Sequence, residues 1–178
     1  MSLINLDEFQ SDRISFFVLL TENITDEYIN WLNDPAVNQF LESRYQIQDK
    51  KSVEQYVAAC LANNDILLGI WCKKNERHIG NIRVHSFNIR HKTAEVGILI
   101  GDKSVWGKGY ATESLLLLNK LCSRNTEIRK LTAGCYGKNQ GSRKAFLKAG
   151  YTEEGIRKEQ FLTDDGLEDL VLFGKIID

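Results

Sequence analysis

The sequence predicts a single mixed α/β (α+β) domain in which helices are inserted into a mostly antiparallel sheet. Three observations lead there. The chain has 178 residues, enough for one well-buried core and few for two. Apolar residues recur at helical spacing in some segments, and as alternating or short continuous runs in others. The two kinds of segment follow one another without a repeat, a low-complexity run or a linker, so residues 1–178 are expected to share one core.

Arg13 to Leu20 reads as a first strand, rich in aromatic and aliphatic residues. Thr25 caps a helix that runs to Asn33, with Asp26 and Glu27 in its first turn and Asn33-Asp34-Pro35 at its end. A second helix is expected from Ser52, read as its cap, to Ala62, with Val53, Tyr56, Val57, Cys60 and Leu61 on one face. The period then changes. Ile66–Cys72, His78–Phe87 and Lys92–Ile100 read as three consecutive strands, with polar turns at Lys73-Lys74-Asn75 and at Asn88 to His91. A long helix from Tyr110 to Arg124 carries Ala111, Leu115, Leu118 and Cys122 on one face. Leu131–Tyr136 is a strand, Asn139–Ala149 a helix ended by Gly150, and Tyr151–Phe161 a strand. Asp164-Asp165-Gly166 is a hairpin turn into the last strand, Leu167–Ile176.

Composition narrows the function classes. A formal net charge of −1 gives no general electrostatic pull toward nucleic acid or an anionic membrane. No apolar run reaches the length of a membrane span, and Met1 to Gln10 carries acidic residues where a signal peptide has basic ones. A cytoplasmic location is the expectation. Cys60, Cys72, Cys122 and Cys135 are widely spaced inside apolar segments and form no Cys-x-x-Cys pair, so they read as buried and reduced. His78, His85 and His91 lack the helical spacing of paired ligands, and no metal is expected.

The segment Trp106-Gly107-Lys108-Gly109-Tyr110-Ala111-Thr112-Glu113 joins the apolar run Val96–Ile100 to the long helix. Such a strand-to-helix junction leaves backbone N–H groups unpaired at the positive end of a helix dipole, which suits a phosphate or pyrophosphate. Glycine at 107 and 109 lets the backbone curl toward the anion without a Cβ in the way.

Trp106-x-x-Gly109-x-Ala111 resembles the pyrophosphate loop of the GNAT superfamily of acetyl-CoA-dependent N-acetyltransferases, written Gln/Arg-x-x-Gly-x-Gly/Ala, with Trp106 in place of the polar residue. Asn139-x-x-Ser142, followed by Ala145 to Tyr151, resembles the second cofactor motif of that family. The likeness spans Ile66 to Ile176, the two amino-terminal helices also fit, and within the superfamily the chain is similar to the ribosomal-protein-alanine N-acetyltransferase subgroup. The resemblance implies a seven-stranded sheet with about four helices, whose central strands Val96–Ile100 and Leu131–Tyr136 splay apart to admit acetyl-CoA. It implies cofactor contacts from Ile98, Leu99, Ile100, Trp106, Gly107, Lys108, Gly109, Tyr110, Ala111, Thr112, Asn139 and Ser142.

An amine reaching the thioester must lose a proton, the oxyanion needs a donor, and the leaving thiolate needs a proton. Glu95, interrupting an apolar strand, is the candidate base, or else the group that orders the amine. A backbone N–H at Ile98 or a neighbour suits the oxyanion. The resemblance implies Ser142 as the candidate acid, since the ribosomal-protein-acetylating branch uses the serine of the Asn-x-x-Ser motif, whereas Phe146 stands where many of these enzymes carry a tyrosine; otherwise Ser142 is a capping or first-turn hydroxyl. The subgroup's second acidic residue falls near Phe161, with only Glu159 close by. Asn139 bonds the pantetheine arm, caps its helix, or does both.

The acceptor is expected against the amino-terminal helices, at Phe40 to Tyr45. Glu42 suits a cationic amine, Arg44 a phosphate or carboxylate, and Tyr45 lies beside them. That segment also resembles GNAT proteins of surface-glycan pathways. The acceptor expected is thus a protein N-terminal amine or a nucleotide-linked amino sugar. Direct transfer in a ternary complex is the reaction, no nucleic acid or membrane is a partner, and a homodimer is possible. The alternative is a non-catalytic acyl-CoA-binding or sensing module.

Overall fold

The computed structural model describes residues 6–177. Seven strands form one sheet in the order β1-β2-β3-β4-β5-β7-β6: β1 Ile14–Val18, β2 Ile66–Cys72, β3 Arg77–Asn88, β4 Thr93–Ile100, β5 Lys130–Tyr136, β6 Thr152–Thr163 and β7 Gly166–Ile176. Every neighbouring pair is antiparallel except β4 and β5. Among the described residues there are five α-helices: α1 Asp26–Asn33, α2 Pro35–Asn38, α3 Lys50–Ala62, α4 Tyr110–Asn125 and α5 Gln140–Lys148. The reading of Met1 to Asn5 lies outside the described residues.

Local chemistry explains most boundaries. The Thr25 hydroxyl accepts from the Tyr28 N–H at 3.2 Å, which caps α1. Asp34 then ends α1 and caps α2, with Pro35 in its first turn, where a missing N–H costs nothing. This short helix replaces the simple stop expected there. The cap of α3 is Asp49 rather than Ser52. Asp49 accepts from the Ser52 N–H at 2.7 Å, and Ser52 Oγ accepts from the Asp49 N–H at 2.9 Å. Ser52 is therefore the third helical residue of a reciprocal cap. Exposed Lys50 and Lys51 carry no apolar period, so the first turn left no trace in the hydrophobic pattern. Tyr56 and Leu61 stay about 40% exposed, and Val53, Val57 and Cys60 alone carry the buried face of α3. Asp164 and Asp165 link Thr163 to Gly166 across a tight hairpin, as expected.

The sheet carries a core on each face. On one, α4 and α5 place Leu115, Leu118, Leu121 and Phe146 against Ile82, Val96, Leu131 and Phe173. On the other, Tyr28, Trp31, Val53 and Val57 of α1 and α3 pack with Leu19 and Leu67, and Leu99 leans on them. Alternation along β4 therefore sends Val96, Ile98 and Ile100 to the α4/α5 face, and Glu95, Gly97 and Leu99 to the α1/α3 face.

The decisive irregularity is at the centre. β4 and β5 pair only over Thr93↔Lys130, Ala94↔Leu131 and Glu95↔Thr132. Beyond Glu95 the strands part, although β4 remains paired to β3 as far as Ile100 and β5 to β7 as far as Tyr136. The splay implied by resemblance is a feature of this sheet.

Candidate active site

The parting of β4 and β5 opens a cleft of about 1630 Å³. Val96, Ile98, Cys135, Ser142 and Phe146 line it from the α4/α5 face, and Glu95, Gly97, Thr132 and Tyr136 from the α1/α3 face. Because both faces contribute, the cleft passes through the sheet. Its volume exceeds the few hundred to about 1,000 Å³ of a pocket for one small ligand.

At its α4 end lies the glycine loop. Gly107 and Gly109 have φ of +71° and +84°, and Gly109 is the residue capping α4. In helix α4 the Glu113 N–H bonds the Gly109 carbonyl at 3.0 Å. The N–H groups of Gly107, Gly109, Tyr110, Ala111 and Thr112 have no partner among the described residues. All five residues line the cleft. A Cβ at Gly107 would meet nothing within 4 Å, so the cradle is open on that side. These donors, at the positive end of a helix of 16 residues, fit a pyrophosphate.

Two loop residues do something other than expected. The Trp106 indole N–H donates to the Ile100 carbonyl at 2.8 Å, tying the loop to the end of β4. This accounts for an aromatic donor where the motif carries a polar residue. Lys108 does not line the cleft; its ammonium turns back to the Ser104 carbonyl at 2.8 Å. The Lys108 carbonyl accepts from Arg13 at 3.0 Å. The Arg13 guanidinium also pairs with Glu113 and lies 4.6 Å over the Tyr110 ring. Arg13, 95 positions earlier in the chain, thus clamps the loop from β1's side, and no sequence pattern near it points there.

On α5, Asn139 Oδ1 accepts from the Ser142 N–H at 3.0 Å, so Asn139 is the helix cap and also lines the cleft. Ser142 faces Cys135. Burial pushes the Cys135 thiol up to about 11, and a hydrogen bond with Ser142 offsets this only in part. All four cysteines are free and buried. Phe146 is packed parallel to Phe173, 5.3 Å between centroids, and has no group to donate.

On the opposite face Tyr136 is the centre of a polar and aromatic cluster. Its ring stacks on Phe161 at 4.1 Å and touches Phe40 at 5.8 Å. Its hydroxyl donates to the Glu42 carboxylate and accepts from Arg44 at 3.1 Å. Burial and the Glu42 bond push the Tyr136 hydroxyl up, so it keeps its proton. Glu42 lines the cleft. Arg44 and Tyr45 do not: Arg44 is held by Tyr136 and the Leu41 carbonyl, and the Tyr45 hydroxyl reaches the Leu162 carbonyl at 3.3 Å. They stand behind the wall rather than in it. Tyr136 was missed as a site residue because it ends an apolar strand and reads as core. Phe161, which occupies the place of an expected acid, closes that wall, whereas Glu159 is exposed at a bulge, its N–H bound to Asp169 at 2.9 Å.

Among the described residues no group of three or more His, Cys, Asp or Glu could hold a metal ion. None of the helices described is long and apolar enough to cross a membrane.

A through-sheet cleft with an anion cradle at one mouth suits an elongated ligand that carries a pyrophosphate. The model of the acetyltransferase (GNAT) domain matches residues 17–152, and the chain belongs to that family. It is 30% identical over 105 residues to the ribosomal-protein-serine acetyltransferase of Escherichia coli, a match covering 59% of this chain and 58% of that one. Among solved structures, a ribosomal L7/L12 α-N-protein acetyltransferase bound to coenzyme A superposes with a TM-score of 0.85 at 19% identity, over 98% of each chain. The spermidine N-acetyltransferase of Vibrio cholerae, with coenzyme A and spermine, gives 0.81 at 17%, over 94% of this chain and 97% of that one. At these identities the structures speak for the fold.

Proposed function

We propose that the chain transfers the acetyl group of acetyl-CoA to a primary amine by direct attack in a ternary complex. One observation carries this reading: a single cleft reaches both faces of the sheet, with anion donors at one end and carboxylates at the other. A donor and an acceptor entering from opposite faces would meet where β4 and β5 part. The pyrophosphate would sit on the N–H groups of 107–112, and the pantetheine amides against the free edge of Val96–Ile100. Solved structures of similar fold contain coenzyme A, which supports the donor.

Glu95 and Glu42 both face the acceptor end and favour a cationic group there. This weighs toward a protein N-terminal amine, in keeping with the name of the Escherichia coli relative. Arg44, the guanidinium expected to meet a nucleotide-linked amino sugar, is turned to Tyr136, and of the two arginines that line the cleft Arg83 is paired with Asp65, which leaves Arg157. Ser142 lines the donor side of the cleft, which supports it as the proton donor to the leaving thiolate.

The test is free-thiol release from acetyl-CoA with a panel of N-terminal serine and alanine peptides, spermidine and a nucleotide-linked amino sugar. Release that depends on an added amine is expected, with a peptide preferred over the sugar. Ser142→Ala should slow it by about a hundred-fold at every pH, as loss of a proton donor does. Coenzyme A binding without release for any amine would leave a binding module, and would overturn the enzyme reading.

A further inference from the structure

His85 lies outside both motifs, yet it lines the cleft on the acceptor face. On β3 it pairs directly across from Glu95 of β4, so the two side chains leave the same face of the sheet as neighbours. The β3–β4 register shifts immediately after this pair, and Ser86 has a φ of +55°. Such an irregularity re-aims the side chains beside it. Ser86 Oγ lies 2.8 Å from His85 Nδ1. No partner for Nε2 is found among the described residues.

We propose that His85 Nε2 is the proton acceptor for the incoming ammonium, and that Glu95 holds that ammonium in place. The inference rests on the acetyltransferase reading above. With Ser86 accepting from Nδ1–H, the lone pair stays on Nε2. An acceptor arriving as R–NH3+ gives one proton to Nε2, and its freed electron pair forms the new bond to the acetyl carbon. As the carbon–sulfur bond breaks, one of the two protons left on nitrogen ends on the thiolate by way of Ser142, and the other stays on the amide. The acceptor has then lost two protons, one to imidazole and one to sulfur.

The charges around His85 agree with this role. Arg83, two residues before it on the same face, is held by Asp65 at 2.5 Å and touches the Tyr56 hydroxyl at 3.3 Å. Burial and Arg83 lower the His85 pKa, against the opposing pull of Glu95 and Asp65. The ring is therefore neutral at pH 7, ready to take a proton. A carboxylate alone would attract the ammonium, whereas a neutral imidazole offers a lone pair to remove its proton.

The experiment compares kcat/KM across pH 5–9.5 for the parent, His85→Gln and Glu95→Gln, using the panel amine that gives turnover. His85→Gln should lose about a hundred-fold in kcat at pH 7, with the KM for acetyl-CoA unchanged, and recover as pH rises and the amine deprotonates unaided. Added imidazole should restore part of the rate to His85→Ala. Glu95→Gln should raise the amine KM more than it lowers kcat. Nitrogen NMR of labelled histidine should show Nε2 without a proton at pH 7, with a pKa below 6.5. His85→Gln within three-fold of the parent, with its acid limb intact, overturns the proposal but leaves the acetyltransferase reading standing. So does a protonated Nε2 at pH 7. A parent that binds coenzyme A and acetylates no amine overturns both.

Discussion

Gly109→Val tests the anion cradle most directly. Gly109 sits at φ +84°, ψ 6°, at the cap of α4. Its new Cβ would lie 3.7 Å from an Arg13 nitrogen, an ordinary contact, so crowding is not the cost. Backbone strain is: a β-branched residue in the left-handed region costs about 1–3 kcal/mol. The loop can relieve that strain only by rotating the peptides on either side of residue 109. That turns the N–H groups of Gly109 and Tyr110 away from the cleft. Each hydrogen bond to a charged phosphate is worth about 1.5–3 kcal/mol, so losing one or two weakens coenzyme A binding by roughly ten- to ten-thousand-fold. The core of α4 at Leu115, Leu118 and Leu121 is untouched, and the fold should survive with a melting temperature a few degrees lower. Isothermal titration with coenzyme A, beside a thermal melt, measures both effects. An affinity equal to the parent's in a folded Gly109→Val protein would refute the pyrophosphate assignment.

Two further perturbations probe parts of the molecule away from the reacting atoms. Arg13→Ala removes the partner of Glu113 and the bond to the Lys108 carbonyl. Arg13 is 44% exposed, so stability should change by no more than about 1 kcal/mol, while coenzyme A binding weakens about three- to ten-fold. Adding Glu113→Gln should leave that affinity low, because the bond to the Lys108 carbonyl is still missing, and titration calorimetry showing full recovery would argue against the clamp. His78 is buried among Phe17, Tyr28 and Trp31, with Nε2 shared between the Gly80 carbonyl and Asn81 at 2.8 Å. Burial lowers its pKa below the ordinary 6.5, despite the opposing bonds to Asn81 and Gly80. The unfolded chain therefore takes up a proton first as pH falls. Stability is fully present above about pH 6.5 and is lost between there and the folded value, at no more than about 1.4 kcal/mol per pH unit. Urea midpoints from pH 7.5 to 5 should fall more steeply for the parent than for His78→Gln, and equal slopes would show that the ring titrates freely.

Local rules made the order of elements legible in the sequence. The Thr25 cap, the Asn139-x-x-Ser142 cap, the Asp164-Asp165-Gly166 hairpin and the Gly107–Gly109 turn each act over a few residues, and each is in place. Where sequence reading slipped, the signal was missing for a physical reason. The first turn of α3 is solvated and carries no apolar period, and Asp34 serves two helices at once.

The sequence by itself determined the fold class, the family and the glycine loop, because backbone conformation, capping and burial period are set by neighbours a few residues apart. Only the tertiary structure decided which side chains face the cleft. The parting of β4 from β5 after Glu95 depends on how each is held by its other neighbour, β3 or β7. Arg44, legible as a phosphate-binding guanidinium, turns instead to Tyr136, 92 positions away. Arg13 reaches Lys108 across 95, and β3–β4 register alone sets His85 beside Glu95. These contacts are made by strand pairing and packing between distant segments, and no local pattern records them.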